Sequence, residues 1–191
     1  MEKKQYIYSG LALLAAAGLV TYIIKKKNDL PLDVAPNIDL DKYLGEWYEI
    51  ARLPASFEKD CYSTKAKYSK DAEGNIIVEN TCYVGSPAGK FKKAVAKAFV
   101  TDPVSNAKLK VQFLWPFSGD YWILDIGENY EYALVGEPSR KFLWILSRTA
   151  SLEKSVIEQL VQKGINRGFN THKLIFTKHI EAVETQPEAA K

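Results

Sequence analysis

The sequence predicts an all-β domain: an eight-stranded antiparallel up-and-down β-barrel, with one C-terminal α-helix packed outside it and an N-terminal hydrophobic helix ahead of it. Two observations predict the barrel. Eight short segments with strand patterning follow one another between residues 47 and 148, and turn residues rather than helices separate them. The length of 191 residues also suits one domain with a real core. Closure removes exposed sheet edges, and eight strands leave an interior able to hold one small ligand.

The chain opens with an uncharged apolar run at residues 6–24, YIYSGLALLAAAGLVTYII. At about 1.5 Å per residue, a helix of this length just spans a hydrocarbon core of roughly 30 Å. A cleaved signal peptide is the alternative, because residues 15–18 are small. We therefore expect a membrane anchor or signal segment at residues 1–28 and a linker at 29–38. Lysines on both sides of the run leave its orientation open.

Net charge is confined to that N-terminal end. The chain carries a formal charge of +3, but five of its 26 basic and two of its 23 acidic residues precede residue 30. The remainder is therefore formally neutral. Because a nucleic-acid-binding domain needs a basic face of its own, we expect no nucleic-acid partner.

The domain itself is expected at residues 39–180. A helical turn at 41–44 leads into strands at 47–53, 62–70, 76–83, 91–101, 108–115, 121–125, 130–136 and 141–148. Gly, Pro, Asn, Asp and Ser dominate the segments between them, as turns require.

One helix follows the last long strand. Ser151 is the expected N-cap, and Gly164 and Gly168 help to end the helix. A short strand at 172–176 comes next, and the charged residues 181–191 are expected to be disordered. The helix has a single apolar face, which must pack on the outer wall of the barrel: Leu152, Val156, Ile157, Leu160 and Val161.

The two cysteines, Cys61 and Cys82, flank the turn at 71–75 at similar distances. Residues placed in this way face each other across a hairpin. Either they form a disulfide, which an oxidising compartment favours, or they are reduced thiols packed on the wall.

Three stretches resemble the motifs of the lipocalin family. Gly45-x-Trp47 matches the first motif, residues 129–135 (NYEYALV) are a variant of the second, and Arg148 matches the Arg of the third. Residues 43–52 and 143–149 are similar to the group containing bacterial outer-membrane lipocalins and apolipoprotein D. The resemblance covers about residues 39–179.

This resemblance implies a sealed cup that binds a small apolar ligand. In the family the Trp plugs the closed end, with the Arg lying across the indole as a cation–π contact, so Gly45, Trp47 and Arg148 are the expected seal. The group implies fatty acids or lysophospholipids as ligands, and attachment to the cell envelope. A barrel in the periplasm is expected, with the outer membrane as an alternative. The chain departs from the group at its start, where an apolar segment replaces the lipid-bearing Cys.

Strand alternation and the family pattern together predict the cavity wall. The expected ligand-binding residues are Ala51, Tyr62, Ala66, Tyr68, Val78, Ala96, Ala98, Val111, Phe113, Tyr121, Ala133, Val135 and Trp144. Glu49 falls on the same face, where a carboxylate is costly. Either Glu49 is paired near the bottom of the barrel, or the strand phase is wrong by one. Residues 54–60, with Phe57 at the tip, are expected to form a lid beside the mouth.

The expected function is a non-catalytic lipid carrier. Two alternatives stay open: an isomerase-type lipocalin acting through a cavity cysteine, and a partner-binding scaffold. No cofactor and no metal site are expected, because paired catalytic carboxylates, phosphate-binding loops and metal-ligand spacings do not occur in the sequence. His172 and His179 are expected on the surface. Whether two chains form a homodimer is left open.

Overall fold

A computed structural model describes residues 31–114 and 116–179 of the chain. Its helices are α1 (Leu40–Tyr43) and α2 (Lys154–Asn166). Its strands are β1 (Gly45–Arg52), β2 (Cys61–Lys70), β3 (Ile76–Val84), β4 (Lys90–Val100), β5 (Lys108–Leu114), β6 (Phe117–Ile126), β7 (Tyr132–Gly136), β8 (Leu143–Ser147) and β9 (Ile175–Phe176). Two 3-10 turns lie at Ser56–Glu58 and Thr171–Lys173. The expected anchor or signal segment at 1–28 and the expected tail at 181–191 lie outside the described residues.

The sheet is antiparallel throughout and runs in sequence order from β2 to β8, then to β1. Pairing of β1 with both β8 and β2 closes the sheet into a barrel. The short β9 adds to β1 outside the closed ring. The predicted eight-stranded up-and-down barrel is therefore confirmed.

Buried apolar side chains form two groups. The first fills the interior around Trp47, which is fully buried, with Tyr68 and Val135 among its members. The second lies between the barrel wall and α2, where Leu160 packs with Leu124 and Leu143. Helix α2 is thus outside the barrel, as its single apolar face predicts.

The ends of the helices differ in part from expectation. Helix α1 starts one residue early, because the Asp39 carboxylate accepts hydrogen bonds from the Asp41 and Lys42 backbone N–H groups at 3.0 and 3.3 Å. Helix α2 begins at Lys154, so Ser151 is not its N-cap; Glu153 holds that position without a side-chain cap bond. Asn166 is its last residue, and Gly168 follows with φ of +89°.

Residues 31–38, within the predicted linker, lie against the barrel. Leu32, Ala35 and Ile38 are buried. The Ala35 and Ile38 backbone N–H groups donate to the Ile123 and Ser105 carbonyls at 2.9 and 2.7 Å. Across residues 31–114 and 116–179, no helix has the length and hydropathy needed to cross a bilayer.

Candidate functional site

The barrel encloses a cavity of about 460 Å³, within the range of small-molecule sites. Seven of the predicted ligand-binding residues line it: Ala66, Tyr68, Val78, Val111, Phe113, Tyr121 and Trp144. Four more belong to the buried interior beside it: Ala96, Ala98, Ala133 and Val135. The interior therefore combines an open volume with a packed portion.

The structure places two predicted wall residues elsewhere. The β1–β8 register shifts between Glu49 and Ala51, so Ala51 turns away from the cavity and packs in the group under α2. The β2–β3 register shifts after Tyr62, which lines a separate pocket outside the barrel. A strict period of two misses both residues, because each shift reverses the faces of the strand beyond it.

The closed end contains the predicted tryptophan and arginine in contact. The Arg148 guanidinium lies 3.7 Å from the Trp47 ring centroid. Its nitrogens donate to the backbone carbonyls of Lys42, Glu46 and Tyr130 at 2.7, 2.8 and 3.2 Å. Gly45 has φ of +97°, and a Cβ there would lie 3.3 Å from Arg148 Nη1. The glycine thus supplies both the backbone turn and the room for the guanidinium.

Three tyrosines above this contact form what we call the floor cluster: Tyr43, Tyr68 and Tyr121. The Tyr68 hydroxyl donates to that of Tyr121 at 2.7 Å, and the hydroxyls of Tyr43 and Tyr121 also lie 2.7 Å apart. Burial raises the pKa of all three phenols. The floor cluster is therefore a set of neutral, mutually bonded hydroxyls.

A second buried polar group, which we call the charged cluster, contains Glu49, Arg52 and Glu58. Arg52 Nε lies 3.3 Å from Glu49 Oε1 and 3.1 Å from Glu58 Oε2. The Thr177 hydroxyl also donates to Glu49, and the Trp144 indole N–H donates to Glu58 Oε2 at 3.2 Å. Both carboxylates line the cavity. The strand phase at Glu49 is thus correct, and Glu49 is paired, but beside the lid segment at the mouth rather than near the bottom of the barrel.

Burial dominates the electrostatics of the charged cluster. It raises the pKa of Glu49 to about 8, and the neighbouring Glu58 charge adds to this rise. Burial also raises the pKa of Glu58, against the opposing effects of Trp144 and Arg52. Two carboxylates facing one guanidinium in a dry site cannot both ionise easily, so the native state retains a proton at neutral pH.

Aromatic rings surround the charged cluster at the mouth. Trp144 stacks on Phe142 with centroids 5.8 Å apart, and Phe142 lies 5.6 Å from Phe57. Phe57 is 52% exposed and sits in the 3-10 turn of the predicted lid segment. The lid segment therefore brings Glu58 and Phe57 over the cavity.

The predicted disulfide between Cys61 and Cys82 is confirmed. The two residues are not directly opposite, since Cys61 pairs with Val84 in the β2–β3 register. The irregularity that displaces Tyr62 places the two Cα atoms 5.6 Å apart, within bridging distance.

The two histidines differ. His172 is exposed, as expected. His179 is half-buried: its Nε2 donates to the Glu49 carbonyl at 2.7 Å and its ring packs on Tyr48. Burial lowers the pKa of His179. It does not line the cavity.

Sequence reasoning missed Tyr43, Arg52 and Glu58. Tyr43 precedes β1 in a helical turn, and Glu58 lies in a loop, so strand alternation assigns neither a direction. Arg52 follows the β1 bulge, which reverses its face. The available signal was chemical, because a carboxylate at Glu49 facing an apolar barrel requires a cationic partner nearby.

Comparisons with known proteins agree with this geometry. The model of the lipocalin-like domain matches residues 38–179. Temperature-induced lipocalin-1 of Arabidopsis thaliana is 38% identical over 172 residues, covering 84% of this chain and 91% of that protein. Outer membrane lipoprotein Blc of Vibrio cholerae is 37% identical over 152 residues, covering 78% and 88%.

One further sequence relative and one solved structure are also similar to this chain. Apolipoprotein D of Mus musculus is 38% identical over 155 residues, covering 75% of this chain and 78% of that protein. Among solved structures, insecticyanin from the tobacco hornworm Manduca sexta superposes with a TM-score of 0.65 at 22% identity, covering 80% and 87%. The barrel, the Trp47–Arg148 contact and these similarities together show that the chain belongs to the lipocalin family.

Proposed function

We propose that the protein is a non-catalytic carrier that holds a single-chain lipid, a fatty acid or a lysophospholipid, in its barrel. The observation that carries the proposal is the cavity of about 460 Å³, closed at one end by Trp47 and Arg148 and walled mainly by apolar side chains. Each methylene buried there stabilises the complex by about 0.8 kcal/mol. A long acyl chain thus binds firmly without many polar contacts.

The relatives support attachment to a cell envelope. Several of them are named outer membrane lipoproteins. The apolar run at residues 6–24 supplies an anchor of a different kind from a lipidated cysteine. We propose that this run holds the barrel at the envelope, on the periplasmic side, and that the outer membrane is the alternative location. Removing residues 1–28 should move the protein from the membrane to the soluble fraction.

The disulfide argues against the isomerase alternative. That chemistry needs a free cavity thiolate, whereas Cys61 and Cys82 are bonded to each other. Within residues 31–114 and 116–179, no group of three His, Cys, Asp or Glu residues is arranged to hold a metal ion. The polar groups around the cavity are suited to orienting a ligand.

Native mass spectrometry of the full chain, purified from its own membranes, tests the carrier proposal. We expect a bound single-chain lipid at a ratio near one. Titration with a fatty acid should also perturb tryptophan fluorescence, and Trp144→Ala should weaken binding about tenfold. Trp122→Ala is the matched control, because Trp122 lies under Lys108, packs against the group below α2 and does not line the cavity. A protein that carries no lipid and binds none would overturn the proposal.

A further inference from the structure

The charged cluster is incompletely neutralised by its own side chains. Arg52 Nη2 is engaged with the backbone carbonyl of Glu58 at 2.5 Å. Its Nε faces both carboxylates and makes no well-directed hydrogen bond to either of them. Two acidic groups and one guanidinium are thus buried together, and the guanidinium can balance only one of the two carboxylates; the other holds the retained proton.

Among the described residues, Arg52 is the cation that forms ion pairs with Glu49 and Glu58, and charges on the neighbouring elements do not replace the retained proton. Lys92 on β4 also lines the cavity and donates to the Phe57 carbonyl at 2.8 Å. Burial raises the pKa of Glu58 and outweighs the opposing effect of the exposed Lys92 ammonium, which lowers that pKa. His179, behind β1, is held neutral by its lowered pKa. Lys65 is paired with Glu46 at 2.9 Å. The carboxylates therefore depend on a proton or on another cation.

A third polar atom faces the same part of the cavity. Thr64 Oγ1 is buried and has no hydrogen-bond partner among the described residues. Thr64 lines the cavity from β2. In the antiparallel β1–β2 ladder Tyr48 pairs with Lys65, so Glu49 and Thr64, the next residue on each strand, are neighbours. A buried hydroxyl left without a partner is costly, so this atom indicates a place for a polar ligand group.

Resting on the carrier function proposed above, we propose that Glu49, Glu58 and Thr64 form a headgroup site for a primary ammonium on a single-chain lipid. A primary ammonium has three N–H donors and no acceptor, and the site offers three acceptor side chains. Hydrogen bonds from an ammonium to a buried carboxylate are among the strong ones. The nearby rings of Trp144 and Phe142 favour a cation further.

The same arrangement disfavours a free fatty acid with its headgroup at this end. A ligand carboxylate would place a third negative group beside Glu49 and Glu58, with only Arg52 to balance them. An ammonium instead replaces the retained proton, so binding releases that proton to solvent. Amine-bearing lipids should therefore bind more tightly than neutral or anionic ones of equal chain length.

Calorimetric titration of the full chain with dodecylammonium, dodecanol and dodecanoate tests the site. At pH 7 we expect dodecylammonium to bind at least about tenfold more tightly than dodecanol, and dodecanoate to bind more weakly than both. Repeating the titration in two buffers of different ionisation enthalpy should show release of about one proton per ammonium bound.

Glu58→Gln and Glu49→Gln should abolish the preference for the amine and leave dodecanol affinity within about twofold of wild type. Thr64→Val should weaken only dodecylammonium, by a few-fold, and keeps the test intact if either Gln variant fails to fold. Glu79→Gln is the control, because Glu79 pairs with Lys93 on the barrel surface and neither residue lines the cavity.

The outcomes separate this site from the carrier function. Equal binding of the three ligands, or a preference for dodecanoate, would overturn the ammonium site and leave the carrier function standing. Failure of all three to bind would remove both. A preference for the amine that survives in Glu58→Gln and Glu49→Gln would place its origin elsewhere and also overturn the site.

Discussion

Two clusters of buried polar side chains lie along one cavity. They differ in how the free-energy cost of burying polar groups is offset. The floor cluster pairs neutral hydroxyls with one another, at 2.7 Å for each contact. The charged cluster sets two carboxylates against one guanidinium and leaves Thr64 without a partner beside it. Polar groups whose hydrogen bonds are satisfied within the protein stabilise the fold, whereas buried polar groups without a full set of partners can still bind a polar ligand group. We therefore propose that the closed end is structural and that ligand recognition occurs at the mouth.

Replacing Arg52 should have the largest effect on this contrast. Arg52→Met leaves two buried carboxylates without their cation, and removing one partner of a buried pair typically costs about 3–5 kcal/mol. Urea denaturation at pH 8 should show a loss of roughly 3 kcal/mol in the free energy of unfolding. Adding Glu49→Gln to this variant should recover part of the loss. A variant as stable as wild type would mean that the charged cluster is not a buried ion pair.

The pH dependence of stability separates the two regions in the wild-type chain. The Glu49 carboxyl has its pKa raised from 4.5 to about 8 on folding. Between these values the native state holds a proton that the unfolded chain has lost, so stability falls as pH rises through this window and levels off above it. Glu49→Gln should flatten this slope, with Glu79→Gln as the unaffected control. A slope unchanged in Glu49→Gln would assign it to another group.

At the closed end, Arg148→Ala should have an intermediate effect. It removes a cation–π contact and three hydrogen bonds to backbone carbonyls from a half-exposed guanidinium, so we expect a loss of about 1–2 kcal/mol. The affinity for dodecanol should stay within about twofold, because Arg148 does not line the cavity. If Arg148→Ala lost dodecanol binding but kept the stability of the wild type, the closed end would be the recognition site and not a structural seal.

The sequence predicted the closed end better than the mouth. The resemblance to the lipocalin motifs implied Gly45, Trp47 and Arg148 as the seal, and the structure places Arg148 in contact with Trp47. The side chains that face the cavity near the mouth are set by the strand irregularities at Ile50 and Ser63. These reverse side-chain direction, and no distinctive residue type in the sequence predicts them. Glu58 lies in a loop, whose position follows from the whole barrel rather than from its own sequence. Local pattern and the family resemblance together therefore predicted the fold and most of the apolar wall, but not the charged cluster.

The smallest expected effect tests the neutral region most directly. Tyr68→Phe removes one hydroxyl donor from the floor cluster and keeps the ring, so we expect a loss of about 1 kcal/mol. The loss should be constant between pH 5 and pH 9, because burial moves the pKa of every phenol in the floor cluster upward, away from that range. Thermal denaturation of Tyr68→Phe and Glu49→Gln across that pH range measures the pH-independent and the pH-dependent change in stability side by side. A pH-dependent loss in Tyr68→Phe would show that the floor cluster is coupled to the carboxylates at the mouth, and the two regions would then act as one polar network.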